Sequence, residues 1–176
     1  MVAGIMNGKP LVFKLAIVSI AATFLSGCWS LNPIIHPNRL LDDGTRVEIV
    51  AASKEVLINQ AVASEQIKID TMMQRIIELT REELSSRDID AYTVPTPGAA
   101  RLIYEIRAVN LVRGTRSSLF GEYPDNKFEV AYRVTFENPE GKRIFTSNDT
   151  TDDNDIEEIC EYIASRSARN VENSFK

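Results

Sequence analysis

The chain has 176 residues, with 20 basic and 25 acidic side chains and a net charge of −5. This balance excludes the basic face that nucleic acid requires, and it offers no polybasic attraction to anionic lipid. Two cysteines, Cys28 and Cys160, and one histidine, His36, leave little material for a disulfide framework or a metal site.

The N-terminal region reads as an export signal. Two lysines precede an apolar run from Leu15 to Leu25, which leads through Ser26 and Gly27 into Cys28. A basic start, an apolar stretch of about 7–15 residues and small residues at a cleavage point are typical of such signals. A transmembrane anchor would need about 20 apolar residues, and Lys14 cuts this run short. A buried core helix is also disfavoured, because the run offers few polar residues for a solvent face.

The segment Leu25-Ser26-Gly27-Cys28 resembles the lipobox of bacterial lipoproteins. The resemblance implies that residues 1–27 are a signal peptide, and that Cys28 becomes the first mature residue. It further implies that acyl chains such as palmitate on the Cys28 thiol anchor the protein in a membrane. In this family an aspartate after the cysteine directs retention in the inner membrane, so Trp29 at that position favours the outer membrane.

Removal of residues 1–27 takes away two lysines and no acid, which leaves 149 residues with a net charge of −7. That length suits one domain. Turn and breaker residues recur between Trp29 and Gly44, so residues 28–44 are predicted to be the lipidated N-terminus and a flexible tether. About 14 extended residues would reach roughly 45 Å. Residues 45–176 are predicted to form the domain.

In the first half of this domain, the sequence predicts a strand, a segment that is either strand or helix, a helix and a short strand. Residues 45–52 alternate as a strand, whereas residues 54–69 do not separate strand from helix. Asp70 is a candidate N-cap for a helix that fades at residues 85–87. Residues 89–94 are predicted to be a short strand that ends at a Pro-Gly-rich turn. The apolar stripe of the helix consists of Met73, Ile76, Ile77, Thr80 and Leu84.

The second half gives the clearest sheet signal. Residues 102–109 and 128–137 alternate between apolar and polar side chains, and the turn 138–141 predicts a hairpin with residues 142–147. Residues 149–155 are predicted to be a solvated acidic loop. A last helix follows, with Asp155 and Glu158 in the positions of a capping box. Its apolar stripe consists of Ile156, Ile159, Cys160, Ile163, Ser167 and Val171.

The predicted fold class is therefore α+β. Two amphipathic helices need one apolar sheet face, which favours a two-layer sandwich with a mostly antiparallel sheet of 4–5 strands, covered on one face by two helices. This element order resembles that of small α+β envelope lipoproteins, such as the lipopolysaccharide-transport outer-membrane lipoprotein and the auxiliary lipoproteins of lipid-transport ABC systems. The resemblance concerns architecture over residues 45–172.

No set of residues predicts catalysis, so no enzyme activity, metal or cofactor is expected. His36 lies in the tether without partners, and Cys160 falls inside a helical stripe as a small buried side chain. An intermolecular disulfide through Cys160 is the alternative. The acidic run from Asp149 to Asp155 departs from the EF-hand pattern, with Asn154 in place of the turn glycine.

Residues 113–124 are the strongest candidate for a binding site. This predicted loop is longer than a hairpin requires and combines arginine with large apolar side chains, a composition typical of interfaces. It is suited to a protein partner or to a phosphorylated glycolipid. The alternative is a long hairpin whose apolar residues fold back onto the sheet. The candidate partner-binding residues are Arg113, Arg116, Leu119, Phe120 and Tyr123.

Two functions are compatible with these features. The first is a lipid-anchored accessory protein of an envelope assembly or transport machine, which faces the periplasm, in the outer membrane by preference, and binds a protein partner. The second is a lipid or glycolipid binder that uses a cleft between the sheet and the helices. Nucleic acid is not an expected partner of either.

Overall fold

The computed structural model describes residues 33–37, 40–52, 56–58, 69–118 and 121–175, without the side chains of Ser118 and Tyr123. Cys28, Leu119 and Phe120 lie outside the described residues. Among those described, two helices and six strands follow one another along the chain. In order they are β1 (Val47–Ala51), β2 (Leu57–Ile58), α1 (Ile69–Ser85), β3 (Ala91–Tyr92), β4 (Ala100–Ser118), β5 (Gly121–Glu137), β6 (Arg143–Asp153) and α2 (Ile156–Glu172).

The α+β class is confirmed, but the sheet is larger than predicted and mixed. The described strands follow the order β3-β1-β4-β5-β6, and β2 joins β4 beyond the end of β1. β1 lies parallel to both β3 and β4, β2 lies parallel to β4, and β4, β5 and β6 are antiparallel. The prediction of 4–5 mostly antiparallel strands was wrong for two reasons. The periodicity within a segment does not encode the direction of its strand partners, and β2, with two residues, lies in the segment 54–69, where the sequence did not separate strand from helix.

The helices lie together on one face of the sheet, where the core sits. The fully buried Tyr104 of β4 places its hydroxyl 2.8 Å from Thr80 Oγ1 of α1, and Ser167 of α2 lies near the same hydroxyl. One strand residue therefore contacts both helices. Burial raises the pKa of this phenol to about 12. The largest side chains with less than 2% exposure are Tyr104, Phe136, Phe145, Ile76, Leu84, Leu102, Ile144, Ile159 and Ile163.

The helix boundaries agree with the sequence patterns except at one end. Asp155 caps α2 as predicted, accepting a hydrogen bond from the Glu157 N–H at 2.9 Å. α1 already includes Ile69, so Asp70 lies in its first turn rather than at its cap. A carboxylate there still faces the positive end of the helix. Neither helix combines the length and the apolar composition that a membrane span requires, and this holds for every helix in the described ranges.

The acidic segment was predicted incorrectly. Residues 149–153 continue β6 rather than forming a loop, because β5 extends far enough to pair with them up to Phe128 opposite Asp153. Polar side chains are compatible with a strand here, because the backbone of the segment is hydrogen-bonded to β5 while its outer face remains in water.

Candidate functional site

The far end of the β4–β5 hairpin extends beyond the rest of the described sheet. β6 pairs with β5 as far as Phe128, whereas β4 and β5 remain paired up to Ser118 opposite Gly121. Residues 112–118 and 121–127 thus form a two-stranded extension, here called the ribbon. It contains seven residue pairs, from Val112↔Lys127 outward. At about 3.3 Å per residue the ribbon is roughly 23 Å long.

Almost every described side chain of the ribbon meets solvent. Residues 112–117 are all exposed, including Val112 with 51% of its surface in water. On the opposite strand only Asp125 and Lys127 are half-buried among the side chains described. A two-stranded ribbon without a packed face is marginally stable in water. The sequence therefore maintains an exposed element that contributes little to the core.

The outer edge of β4 in the ribbon has backbone groups that no described strand pairs with. In the first part of β4, the Ala100 N–H donates to Arg46 O, and Tyr104 O accepts from the Ala52 N–H. The backbone groups of even-numbered residues therefore point towards β1, and those of odd-numbered residues point towards β5. This alternation reverses at the register shift between Ile106 and Ala108. Beyond the shift, the backbone groups of Arg113, Thr115 and Ser117 point away from β5, where no described strand pairs with them.

Two residues of the ribbon fit this geometry closely. Pro124 has no N–H, and it falls at a position where the β5 backbone points outward, so the β4–β5 ladder loses no hydrogen bond. Gly114 faces Asp125, and a Cβ at residue 114 would lie 2.9 Å from Asp125 O. The two backbones therefore approach closely at this pair, which explains a glycine in mid-strand.

In place of the predicted loop over residues 113–124 the structure has a long hairpin, which was the alternative interpretation of the sequence. These residues form paired strands, apart from residues 119 and 120, which lie outside the described ranges. Strand alternation places Arg113 on the same face as the buried Leu111, and Arg116 on the other face. Arg116 is the register partner of Tyr123, whose side chain is not described. The two arginines predicted to act together are thus on opposite faces.

The predicted lipidation site, Cys28, lies outside the described residues, but part of the predicted tether lies against the domain. Leu41 is 4% exposed, and its N–H donates to Ser174 O at 2.8 Å. The His36 N–H donates to Ile144 O at 3.2 Å, and Ile35 packs against the core. The only histidine of the chain thus uses its backbone, while its residue surface is exposed.

Cys160 occupies the core, as the stripe of α2 predicts. It is a free thiol with 1% exposure, and Sγ lies 3.9 Å from Met72 O. Burial raises its pKa to about 12, and Glu157 adds to the shift. Such a thiol is neither accessible nor activated as a nucleophile. The alternative of an intermolecular disulfide is not supported by this position.

The carboxylates of the acidic run have separate partners within the domain. Asp149 Oδ2 lies 2.7 Å from Arg166 Nη1, and Asp152 pairs with Lys127 at 3.1 Å. Asp155 caps α2. Within the described ranges no group of three or more His, Cys, Asp or Glu side chains is arranged to hold a metal ion.

The pair of Arg166 and Asp149 belongs to a polar cluster that the sequence patterns do not reveal. Both side chains are about 85% buried, and Arg166 Nη1 donates to Tyr162 Oη at 2.6 Å. The buried Tyr132 hydroxyl has no described hydrogen-bond partner, and burial raises its pKa strongly, with a further contribution from Asp149. Only the i, i+4 spacing of Tyr162 and Arg166 on α2 was visible in the sequence.

Two grooves lie beside the C-terminal end of α1. One, of about 630 Å³, runs between residues 81–86 of α1 and residues 89–92 at the sheet edge. The other, of about 350 Å³, lies between residues 43–45, residues 87–90 and the end of the chain at Glu172 and Phe175. The first groove lies at the edge of the sheet, between α1 and β3, and not in the core beneath the two helices.

Comparison with known proteins gives distant structural similarities. No family model and no curated protein matches the chain. The PelC dodecamer from Paraburkholderia phytofirmans is similar over 78% of this chain and 92% of its own, with 9% identity and a TM-score of 0.44. A neuraminyllactose-binding hemagglutinin homolog from Helicobacter pylori is similar over 81% and 91%, with 12% identity and a TM-score of 0.42. Similarity this distant does not assign a function.

Proposed function

We propose that this chain is a lipid-anchored accessory protein of an envelope assembly or transport machine, located on the periplasmic face of the outer membrane. The lipobox resemblance at residues 25–28 supports the anchor. The ribbon supports the role of an interaction protein, and it is the observation that carries the proposal. It exposes both faces, and along one edge its backbone groups have no strand partner among the described residues, so an added strand of a partner protein would bond them.

A protein partner fits the ribbon better than a phosphorylated glycolipid does. Arg113 and Arg116 lie on opposite faces, so their guanidinium groups do not converge on one phosphate. Within the described residues, the second candidate function, lipid binding between sheet and helices, has only the shallow groove between the end of α1 and the edge strand β3 to support it, and no cavity in the core beneath the helices. That space is filled by side chains with at most 1% exposure, such as Tyr104, Phe136 and Ile163.

Metabolic labelling with a clickable fatty acid tests the anchor. We expect the wild-type protein to incorporate label and Cys28→Ser to incorporate none. Intact-mass measurement of the purified protein provides a second readout. A mass that retains residues 1–27, or an unmodified thiol at Cys28, would contradict the proposal.

Site-specific photocrosslinking in living cells tests the ribbon. A photoreactive amino acid replaces Ser117 in the ribbon, and the matched control replaces Glu140, which is exposed in the turn at the other end of β5. We expect a discrete crosslinked product from position 117 and none from position 140. Adding Arg116→Glu should reduce the product at least several-fold. Equal products from both positions would contradict a specific partner surface.

A further inference from the structure

The N-terminal segment of the domain is attached at one end of the sheet. Leu41 pairs in parallel with Phe175 beyond the end of α2, and His36 bonds Ile144 near the start of β6. Ile144 is fully buried and lies beside the turn formed by residues 138–141. The chain therefore enters the domain at the end of the sheet that carries this turn.

The ribbon occupies the opposite end of the same strands. β5 begins at Gly121 in the ribbon and ends at Glu137, whose register partner is Arg143 at the start of β6. Its 17 residues, at about 3.3 Å each, span roughly 55 Å. The tip of the ribbon and the attachment point at Ile144 are thus separated by most of the length of the domain.

The attachment shortens the link to the proposed lipid. If Cys28 carries the acyl chains, residues 29–34 connect it to Ile35, which is the first of the described residues to pack against the core. Six residues, at about 3.3–3.6 Å each, reach at most roughly 22 Å, compared with roughly 45 Å for a tether of about 14 extended residues. This reach is much smaller than the length of β5.

We infer that the end of the domain formed by Ile144 and residues 138–141 faces the anchoring membrane, and that the ribbon points away from it. This inference rests on the proposed lipid anchor. The net charge of −7 after removal of residues 1–27 gives the domain no electrostatic reason to lie flat on anionic lipid. The partner of the ribbon is accordingly a protein surface tens of ångströms from that membrane, rather than a protein embedded in the same leaflet.

Energy transfer from single labelled sites to a membrane dye tests this orientation. The full-length lipidated protein is placed in liposomes whose headgroups carry an acceptor dye. A donor dye is attached at Glu140→Cys or, in a second variant, at Ser117→Cys. The buried Cys160 remains unlabelled in the folded protein. We expect efficient transfer from position 140 and at least several-fold weaker transfer from position 117. Equal transfer, or stronger transfer from position 117, would overturn the inference.

A tether insertion provides the matched control. About 12 Gly and Ser residues inserted after Ser30 add roughly 19 Å of average reach. Transfer from position 140 should then fall, and an unchanged value would show that the attached segment does not set the distance. Protein that carries no lipid and does not bind liposomes would overturn both the anchor and the inference. Lipidated, bound protein with equal transfer from both sites would overturn the inference alone.

Discussion

At the residue scale, the end of α1 depends on a backbone conformation that glycine adopts more readily than aspartate. The Ile89 N–H donates to Leu84 O at 3.0 Å and the Asp88 N–H to Ser85 O at 3.2 Å, a C-terminal cap in which Asp88 has a φ of 59°. The left-handed conformation costs a non-glycine residue about 1–2 kcal/mol, although aspartate tolerates it better than most residues. The sequence thus stops α1 without the usual glycine.

Replacement of Asp88 by glycine should therefore stabilise the domain. We expect Asp88→Gly to increase the free energy of unfolding by about 0.5–1 kcal/mol in urea denaturation. Asp90→Gly is the control, because Asp90 has no positive φ and the added chain entropy should destabilise the domain by a similar amount. A loss of stability in Asp88→Gly would show that the aspartate side chain contributes more than its conformation costs.

The buried thiol of Cys160 makes stability depend on alkaline pH. Its pKa rises from 9.0 to about 12 in the folded domain. Below pH 9 both folded and unfolded chains keep the proton, so this group contributes its full stability there. Between pH 9 and 12 the unfolded thiol ionises first, so unfolding releases a proton and stability falls as pH rises, by at most about 1.4 kcal/mol per pH unit.

Cys160→Ala should reduce this alkaline loss. In a Cys28→Ser background, we expect the free energy of unfolding to decrease less between pH 8 and pH 10 in Cys160→Ala than in the parent. The alanine variant should be less stable than the parent at pH 8, because it leaves a small cavity. Urea denaturation at both pH values measures the difference. Identical pH slopes for the two proteins would contradict the assignment.

At the element scale, the β4–β5 hairpin combines two parts with different roles. Its inner half alternates buried residues such as Tyr104 and Val134 beneath the helices, whereas the ribbon places its described side chains in or near solvent. Burial of apolar surface stabilises the inner half, and that contribution is small in the ribbon. Stability and the proposed binding can therefore be separated by shortening this one element.

Removal of the ribbon should leave the fold intact. In the variant, residues 113–126 are replaced by Asn-Gly, which forms a two-residue turn between Val112 and Lys127, a pair in the native register whose backbone groups face each other. We expect the free energy of unfolding to change by less than about 1 kcal/mol, since the deleted residues bury little apolar surface. Circular dichroism and urea denaturation measure the fold. Co-purification of the partner that crosslinking at position 117 of the intact protein identifies measures binding, and the variant should fail to retain that partner. Global unfolding of the variant would contradict the separation of roles.

At the scale of the whole molecule, the N-terminal segment around Leu41 contacts the residues that follow α2. Leu41 contributes a buried side chain and a backbone hydrogen bond to Ser174, just beyond α2. Ser174 Oγ in turn donates to Asn170 O at 2.9 Å, so the end of α2 continues into the contact. The N-terminal segment and the last helix are therefore expected to be coupled in stability.

Leu41→Ala tests this coupling. The change removes buried apolar volume and should cost about 2–3 kcal/mol of unfolding free energy. Hydrogen exchange should show the largest loss of protection in the last turn of α2 and in the first turn beyond it. Ile34→Ala is the control, because Ile34 is 83% exposed and its loss should change stability by less than about 0.5 kcal/mol. Equal effects of both substitutions would contradict a structural role for residue 41.

The local part of this architecture follows from sequence periodicity. The stripes of α1 and α2, the turn at residues 138–141, the Asp155 cap and the burial of Cys160 all depend on neighbours close in the chain, so their spacing predicts them. For the candidate site, the sequence predicted only that its residue types suit binding, and not their arrangement in space. Residues 113–124 carry arginine and apolar residues in the sequence, but whether they form a loop or paired strands depends on which residues lie opposite them.

The sequence by itself determined the α+β class, the two helices on one sheet face and the lipobox resemblance on which the proposed anchor rests. Only the tertiary structure decided the parallel pairing of β1 with β3 and β4, the opposite faces of Arg113 and Arg116, and the attachment of His36 and Leu41 to the ends of β6 and α2. Backbone hydrogen bonds between distant segments depend on register and direction, and side-chain patterns within one segment encode neither.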